Sequence, residues 1–265
     1  MRLGIIGCGV MAEAILSRLL TQGRFHPENV SVTVRSEARG QYLHQTYGIR
    51  IAPNNAAVAI AETVLLAVKP QVYPDIWAEL QGTTAQDSPG RLLSIMTGIT
   101  LESLQSLFPR RAVFRIMPNT PAQVGAGMIA IATGLGASAG DLQDVQEFFQ
   151  AVGDVVEVDE AQMDGVTALS GSGPAFVALF LEALADGGVA AGLPRNLARQ
   201  LAYGTVTGTI ALLQEKNLHP GQLKDQVASP AGTTIAGLRV LESGGVRGTI
   251  MAAVMAAKDR ARELG

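Results

Sequence analysis

The sequence predicts two domains of different class: an α/β domain over residues 1–158 and an all-α domain over residues 159–265. Three observations carry that division. An apolar run, Arg2 to Ile6, meets a cluster of glycines and then a helical pattern from Val10 to Leu20. Further apolar runs alternate with helical patterns as far as Val158. Beyond Asp159 the periodic apolar positions continue, with no strand between them.

In chain order, Val30 to Val34 alternates and is β-branched, which predicts a second strand, and Glu37 to Tyr47 predicts a helix. Thr63 to Val68 is an apolar strand stopped by Lys69-Pro70. Arg91 to Met96 and Ala112 to Met117 follow, the second stopped by Pro118. Met128 to Ala132, a helix over Asp141 to Ala151, and Val155 to Val158 complete the first domain. This order predicts βαβ units and a mostly parallel sheet covered on both faces. Helical patterns then occupy Val166–Leu169, Phe176–Leu184, Leu197–Leu213, Ile235–Leu241 and Ile250–Ala261. This half is rich in small residues, as in Ala183 to Gly192, which lets helices approach closely. About a hundred residues of apolar helix bury their faces better against a second copy than alone, so a homodimer is expected.

Hydrophobic residues make up 48% of the chain and charged residues 16%, a balance that supports a large core and excludes intrinsic disorder. The net charge of −3, with no long basic run, argues against nucleic-acid or anionic-membrane partners. The one cysteine, Cys8, allows no intrachain disulfide and fits a reducing cytoplasm. The apolar start is broken by Gly4, Gly7 and Gly9 and followed by Glu13, so it reads as strand, turn and helix rather than a signal peptide. No unbroken apolar run is long enough to predict a membrane span.

Gly7-Cys8-Gly9-Val10-Met11-Ala12 matches G-x-G-x-x-G/A between a strand and a helix, which makes the first domain Rossmann-like and dinucleotide-binding. Gly7 permits the tight turn, Gly9 lets the backbone approach a pyrophosphate, and Ala12 lets the helix pack on the strand. The first N–H groups, around Val10 and Met11, then face the phosphates. Where NAD enzymes carry a carboxylate, the second strand here ends in Arg35-Ser36, with Arg39 one turn on. A guanidinium and a hydroxyl suit a 2′-phosphate, so NADPH is the expected cofactor and NADH a weaker one. Glu37 lies close by and could blunt that preference. No paired Cys/His cluster or HExxH suggests a metal, and Gly171-Ser172-Gly173 does not complete G-x-S-x-G.

Four further segments carry a resemblance. Ala67-Val68-Lys69-Pro70, Met117-Pro118-Asn119-Thr120-Pro121, Ala168 to Phe176 (ALSGSGPAF) and Val227 to Leu238 (VASPAGTTIAGL) are similar, in the family's own order, to the motifs of the pyrroline-5-carboxylate reductases. The resemblance implies hydride transfer from NADPH to 1-pyrroline-5-carboxylate, giving L-proline in the last step of proline biosynthesis. It implies that the helical domain serves dimerisation. It implies that Asn54 lies near the adenosine ribose or a phosphate, and that Ala67, Val68, Lys69, Pro70 and Asn119 border the cofactor.

Read alone, Lys69 is as well explained as a solvated or capping charge, Asn54 as a helix N-cap, and Met117 to Pro121 as a stiff turn. Ser170 and Ser172 are either substrate-facing or helix caps. The resemblance also places Ser229, Gly232, Thr233 and Thr234 at the substrate carboxylate, which agrees with a helix start acting as an anion site. Thr234 is expected to hydrogen-bond the substrate nitrogen, as orienter or proton relay. Ala231 stands where the family often has glycine, which matters only where φ must be positive. None of His26, His44 and His219 falls in a site loop, and His219-Pro220 reads as a helix entry. Two other readings remain: a different imine or hydroxyacid dehydrogenase of similar build, whose lysine has no evident counterpart among Lys216, Lys224 and Lys258, and a non-catalytic NADP-binding sensor.

Overall fold

A computed structural model describes residues 2–263. Eight strands form one sheet: β1 (Leu3–Ile6), β2 (Val30–Thr33), β3 (Arg50–Ile51), β4 (Thr63–Leu66), β5 (Gly90–Ser94), β6 (Arg111–Met117), β7 (Gly127–Thr133) and β8 (Gly153–Glu157). Their order is β3-β2-β1-β4-β5-β6-β7-β8, with every pair parallel except β6 and β7. Six helices accompany them: α1 (Val10–Thr21), α2 (Glu37–Tyr47), α3 (Asn55–Ala59), α4 (Tyr73–Leu80), α5 (Leu101–Leu107) and α6 (Ala139–Gln150).

The strands are apolar runs because both faces are buried, and successive side chains serve different cores. Ile5, Leu65, Leu93 and Phe114 pack with Ile15 and Leu16 of α1 and Phe148 and Phe149 of α6. Their neighbours Ile6, Leu66 and Leu92 pack with Tyr73 and Ile76 of α4 and Leu104 of α5. Arg111, only 2% exposed, opens β6. Its guanidinium donates to the carbonyls of Arg91 (3.1 Å), Ala59 (2.6 Å) and Ala61 (3.0 Å), tying the entry of β4 to β5.

The chain continues through α7 (Met163–Val166), a wide helical turn over Thr167–Gly171, α8 (Gly173–Ala190), α9 (Arg195–Lys216), α10 (Pro220–Val227), α11 (Thr233–Ser243) and α12 (Val246–Glu263). Glu160 to Ala190 is one continuous helical stretch, long and apolar enough to cross a membrane by length and composition. Gly171-Ser172-Gly173-Pro174 does not interrupt it. The wide turn takes in Gly171, Gly173 opens α8, and Pro174 sits in the first turn of that helix, where its missing N–H costs little.

Two compact units result, Met1–Ser172 with Ala257–Gly265, and Gly173–Ala256. Packing therefore sets the limit of the first unit at Ser172. The reason is Met163, 3% exposed, which packs with Ala130 and Ala132 of β7 and holds the first helical turns to the sheet. In the second unit α8 and α9 come close at Gly188, where an added Cβ would lie 3.0 Å from the Cβ of Ala198. The buried apolar residues described there are alanines, Ala185, Ala198 and Ala202, whereas Leu179, Phe180, Ile210 and Met251 are exposed.

Candidate functional site

β1 lies between β2 and β4, so the chain leaves its carboxyl end on one side and its neighbour's on the other. That crevice is where open α/β sheets bind ligands. Three loops meet there, each after one of these strands.

After β1, Gly7 has φ +85°, and an added Cβ would sit 2.5 Å from Val68 Cγ1 and 3.1 Å from Val68 N. Only glycine fits both the backbone and the space. The N–H groups of Gly7 and Cys8 donate to the Thr33 carbonyl at 3.2 and 3.1 Å, which joins this turn to the end of β2. Gly9 is the N-cap of α1 without a side-chain cap, and nothing lies within 4 Å of where its Cβ would be. The first helical bond is Glu13 N–H to the Gly9 carbonyl, 2.9 Å, so the N–H groups of Val10, Met11 and Ala12 precede it. Open space over a glycine, facing three such donors, fits a pyrophosphate. Ala12 is 1% exposed against the core, as close helix packing requires. Cys8 is buried, and burial pushes its thiol up to about 12, so it stays protonated and is no nucleophile.

After β2, Arg35, Ser36 and Glu37 line an open groove of about 700 Å³ together with Gln41, His44 and Arg50. Ser36 Oγ also caps α2 by accepting from Arg39 N–H at 3.4 Å. Arg39 turns elsewhere. Its Nε donates to the Cys8 carbonyl (3.1 Å) and its Nη2 to Glu13 (2.5 Å). Arg50 is a groove residue that no sequence pattern marks, because β3 is only two exposed residues long.

Asn54 caps α3 by accepting from Ala57 N–H at 2.9 Å. Asn55 accepts from the Thr33 hydroxyl (2.6 Å) and donates to Glu79 (2.6 Å). After β4, the Ala67 N–H donates to the Ile6 carbonyl (2.9 Å), and Val68 packs against Gly7. Lys69 is exposed and opens the short turn Pro70–Val72 without using its amine as a cap. The amide of Asn119 is spent on protein: Nδ2 donates to Ser170 O (3.3 Å) and Oγ (3.2 Å), and Oδ1 accepts from Met128 N–H (3.0 Å). Ser170 therefore anchors the loop after β6 and is no helix cap, since the helix runs through it.

In the second unit, Gly232 is the extended N-cap of α11, again without a side-chain cap. Its N–H donates to the Ser229 carbonyl at 3.1 Å, and the first helical bond is Ala236 N–H to the Gly232 carbonyl, 3.3 Å. The N–H groups of Thr233, Thr234 and Ile235 are thus ahead of the ladder, as an anion site needs. A Cβ on Gly232 would overlap the Ser229 hydroxyl. Thr234 also borders a cavity of about 540 Å³ with Thr205, Thr209, Leu213 and Leu238. Ala231 has φ +57°, the one condition under which alanine in place of glycine matters. His219 caps α10, accepting from Gly221 N–H at 3.1 Å. Among the described residues no group of three His, Cys, Asp or Glu is placed to hold a metal.

Residues 160–264 match the family described as pyrroline-5-carboxylate reductase dimerisation, and residues 2–98 match one described as NADP oxidoreductase coenzyme F420-dependent. The pyrroline-5-carboxylate reductase of a Synechocystis species is 51% identical over 265 residues, 100% of this chain and 98% of that protein. That of Arabidopsis thaliana is 42% identical over 99% of this chain and 95% of its own. Among solved structures, the pyrroline carboxylate reductase of Plasmodium falciparum with NADP bound superposes with a TM-score of 0.90, at 29% identity, covering 100% of this chain and 98% of that one. On this similarity along its whole length, the chain belongs to the pyrroline-5-carboxylate reductase family.

Proposed function

We infer that this protein reduces 1-pyrroline-5-carboxylate to L-proline with NADPH, the last step of proline biosynthesis. The observation that carries the reading is the uncapped start of α11 in the Ser229–Thr234 segment, within a chain 51% identical to a pyrroline-5-carboxylate reductase. When bound, NADPH supplies the hydride.

The chain's own residues bind and orient. Gly7, Gly9, Val10, Met11 and Ala12 hold the pyrophosphate on backbone N–H groups. Arg35 and Ser36 take the 2′-phosphate, which favours NADPH over NADH. Asn54 borders the ribose, with the nitrogen of its amide not used in capping α3. Ala67, Val68 and Pro70 shape the wall beside Gly7, Lys69 offers its free amine to a phosphate or carboxylate, and Asn119 fixes the loop after β6.

In the second unit, Ser229, Gly232, Thr233 and Thr234 receive the substrate carboxylate. The Thr234 hydroxyl orients the ring nitrogen. A neutral hydroxyl is a poor acid, and the cyclic imine takes its proton from water, so orientation suffices. The exposed Leu179, Phe180, Ile210 and Met251 support a homodimer. The cytoplasm as its location, and larger assemblies of dimers, follow from the family reading alone. The functional division falls at 158/159, a cofactor domain before it and a substrate and dimerisation domain after it. The dimerisation match, which begins at residue 160, supports this.

The test is NADPH oxidation with DL-pyrroline-5-carboxylate, with chiral identification of the product and a repeat with NADH. L-Proline should accumulate, faster with low NADPH than with low NADH. NADPH binding without turnover would sink the substrate assignment.

A further inference from the structure

We propose that Arg39 is a positioning residue for the phosphate turn, acting on both dinucleotides alike, and not a ligand of the 2′-phosphate. The proposal rests on the reading that the Gly7–Ala12 turn binds a dinucleotide. Three contacts carry it. Arg39 Nε donates to the Cys8 carbonyl at 3.1 Å, and Nη2 reaches the Gly9 carbonyl at 3.4 Å. The same Nη2 donates to Glu13 Oε2 at 2.5 Å. Arg39 is not among the residues lining the groove that Arg35 and Arg50 share.

The physical need is specific. A peptide turn that offers N–H groups to a pyrophosphate must point its carbonyl oxygens away, because those oxygens repel the anion. A guanidinium that holds two successive carbonyls fixes that orientation and adds positive charge behind the turn. Arg39 also answers a second problem. Glu13 lies in the first turn of α1, where a bare carboxylate would repel the phosphates. Its Oε2 is paired with Arg39, and its Oε1 accepts from Tyr42 (3.1 Å) and Tyr47 (2.9 Å). The Arg39 guanidinium lies 5.3 Å from the Tyr42 ring centre, which leaves it little freedom. Burial pushes the Glu13 carboxyl up, but the hydrogen bonds from Arg39, Tyr47 and Tyr42 outweigh it and hold the group below its ordinary value. The cluster thus stays charged and locked at neutral pH.

The test is fluorescence titration of the full-length protein with NADPH and with NADH, in four variants whose folding is checked by circular dichroism. Arg39→Met should weaken both dinucleotides by the same factor, on the order of tenfold. Arg35→Met should weaken NADPH alone. Adding Glu13→Gln to Arg39→Met should recover part of the loss for both, since it removes the unpaired carboxylate. Tyr47→Phe, which takes one hydrogen bond from Glu13 and is the fallback if Arg39→Met does not fold, should weaken both by roughly twofold to threefold. Weakening of NADPH alone by Arg39→Met would overturn the proposal and make Arg39 a 2′-phosphate ligand. Unchanged binding of both dinucleotides in a folded Arg39→Met or Tyr47→Phe protein would also overturn it. Failure of the wild-type protein to bind either dinucleotide would instead remove the reading on which the proposal rests.

Discussion

The two units bury their apolar residues to very different degrees. In the first, Ile5, Leu65 and Phe114 are fully buried between strands and helices of the same chain. In the second, α8 and α9 meet through alanines and a glycine, while Leu179 and Phe180 on α8 face outward, 68% and 46% exposed. Close helix approach uses small residues and leaves the large ones for another surface. The first unit is therefore packed within one chain, whereas the second leaves large apolar side chains exposed on a single copy. The family match to a dimerisation region over residues 160–264 agrees with that contrast.

The largest effect is expected in the core of the first unit. Phe114→Ala leaves a cavity beneath the sheet and should cost about 3–5 kcal/mol in denaturant unfolding. An effect near zero would mean that the core is not the source of that unit's stability. Phe180→Asp is the counterpart. On an isolated chain it would be a mild surface change, within about 0.5 kcal/mol. Against a second copy it buries an unpaired charge, so it should raise the concentration for half-assembly by about a hundredfold or more in sedimentation equilibrium.

Ala231 is held in the left-handed region just before α11. Ala231→Gly removes a strain of about 1–2 kcal/mol but loosens the unfolded chain, so a net gain of about 0.5 kcal/mol is expected on thermal unfolding. A loss would mean that the turn tolerates alanine without strain. The smallest effect concerns the cap of α6. Hydrogen bonds from Ser138, and then Arg91, hold Asp141 below its ordinary value of 3.8, despite some opposing desolvation. Its contribution is fully present above the unfolded pKa and is lost as pH falls through the lower folded one. Asp141→Asn should therefore flatten the fall in stability below about pH 4, and an unchanged acid limb would contradict the assignment.

The parallel strands were visible in the sequence because burial on both faces makes them continuous apolar runs. Those runs overshoot the strands: Val34, Ala67 and Val68 read as strand but lie in the loops that form the site. β3 was missed because Arg50 and Ile51 are exposed and owe their conformation to pairing with β2 alone. The phosphate turn was plain because Gly7 and Gly9 answer local demands of backbone and space. The direction of Arg39 was not, since it depends on Glu13, 26 residues away in sequence. Asn119 was ambiguous for the same reason, its partners being Ser170 and Met128. Ser170 reads as a possible helix cap, yet a wide helical turn carries the chain through it.

We propose that the α/β unit is complete in one chain while the helical region, which matches a dimerisation family, needs a second copy. Active-enzyme sedimentation tests it most directly, by layering the protein on NADPH and pyrroline-5-carboxylate and following the boundary of NADPH loss. The moving, active species should have the size of a dimer or a larger even assembly. An active species of single-chain size would contradict it.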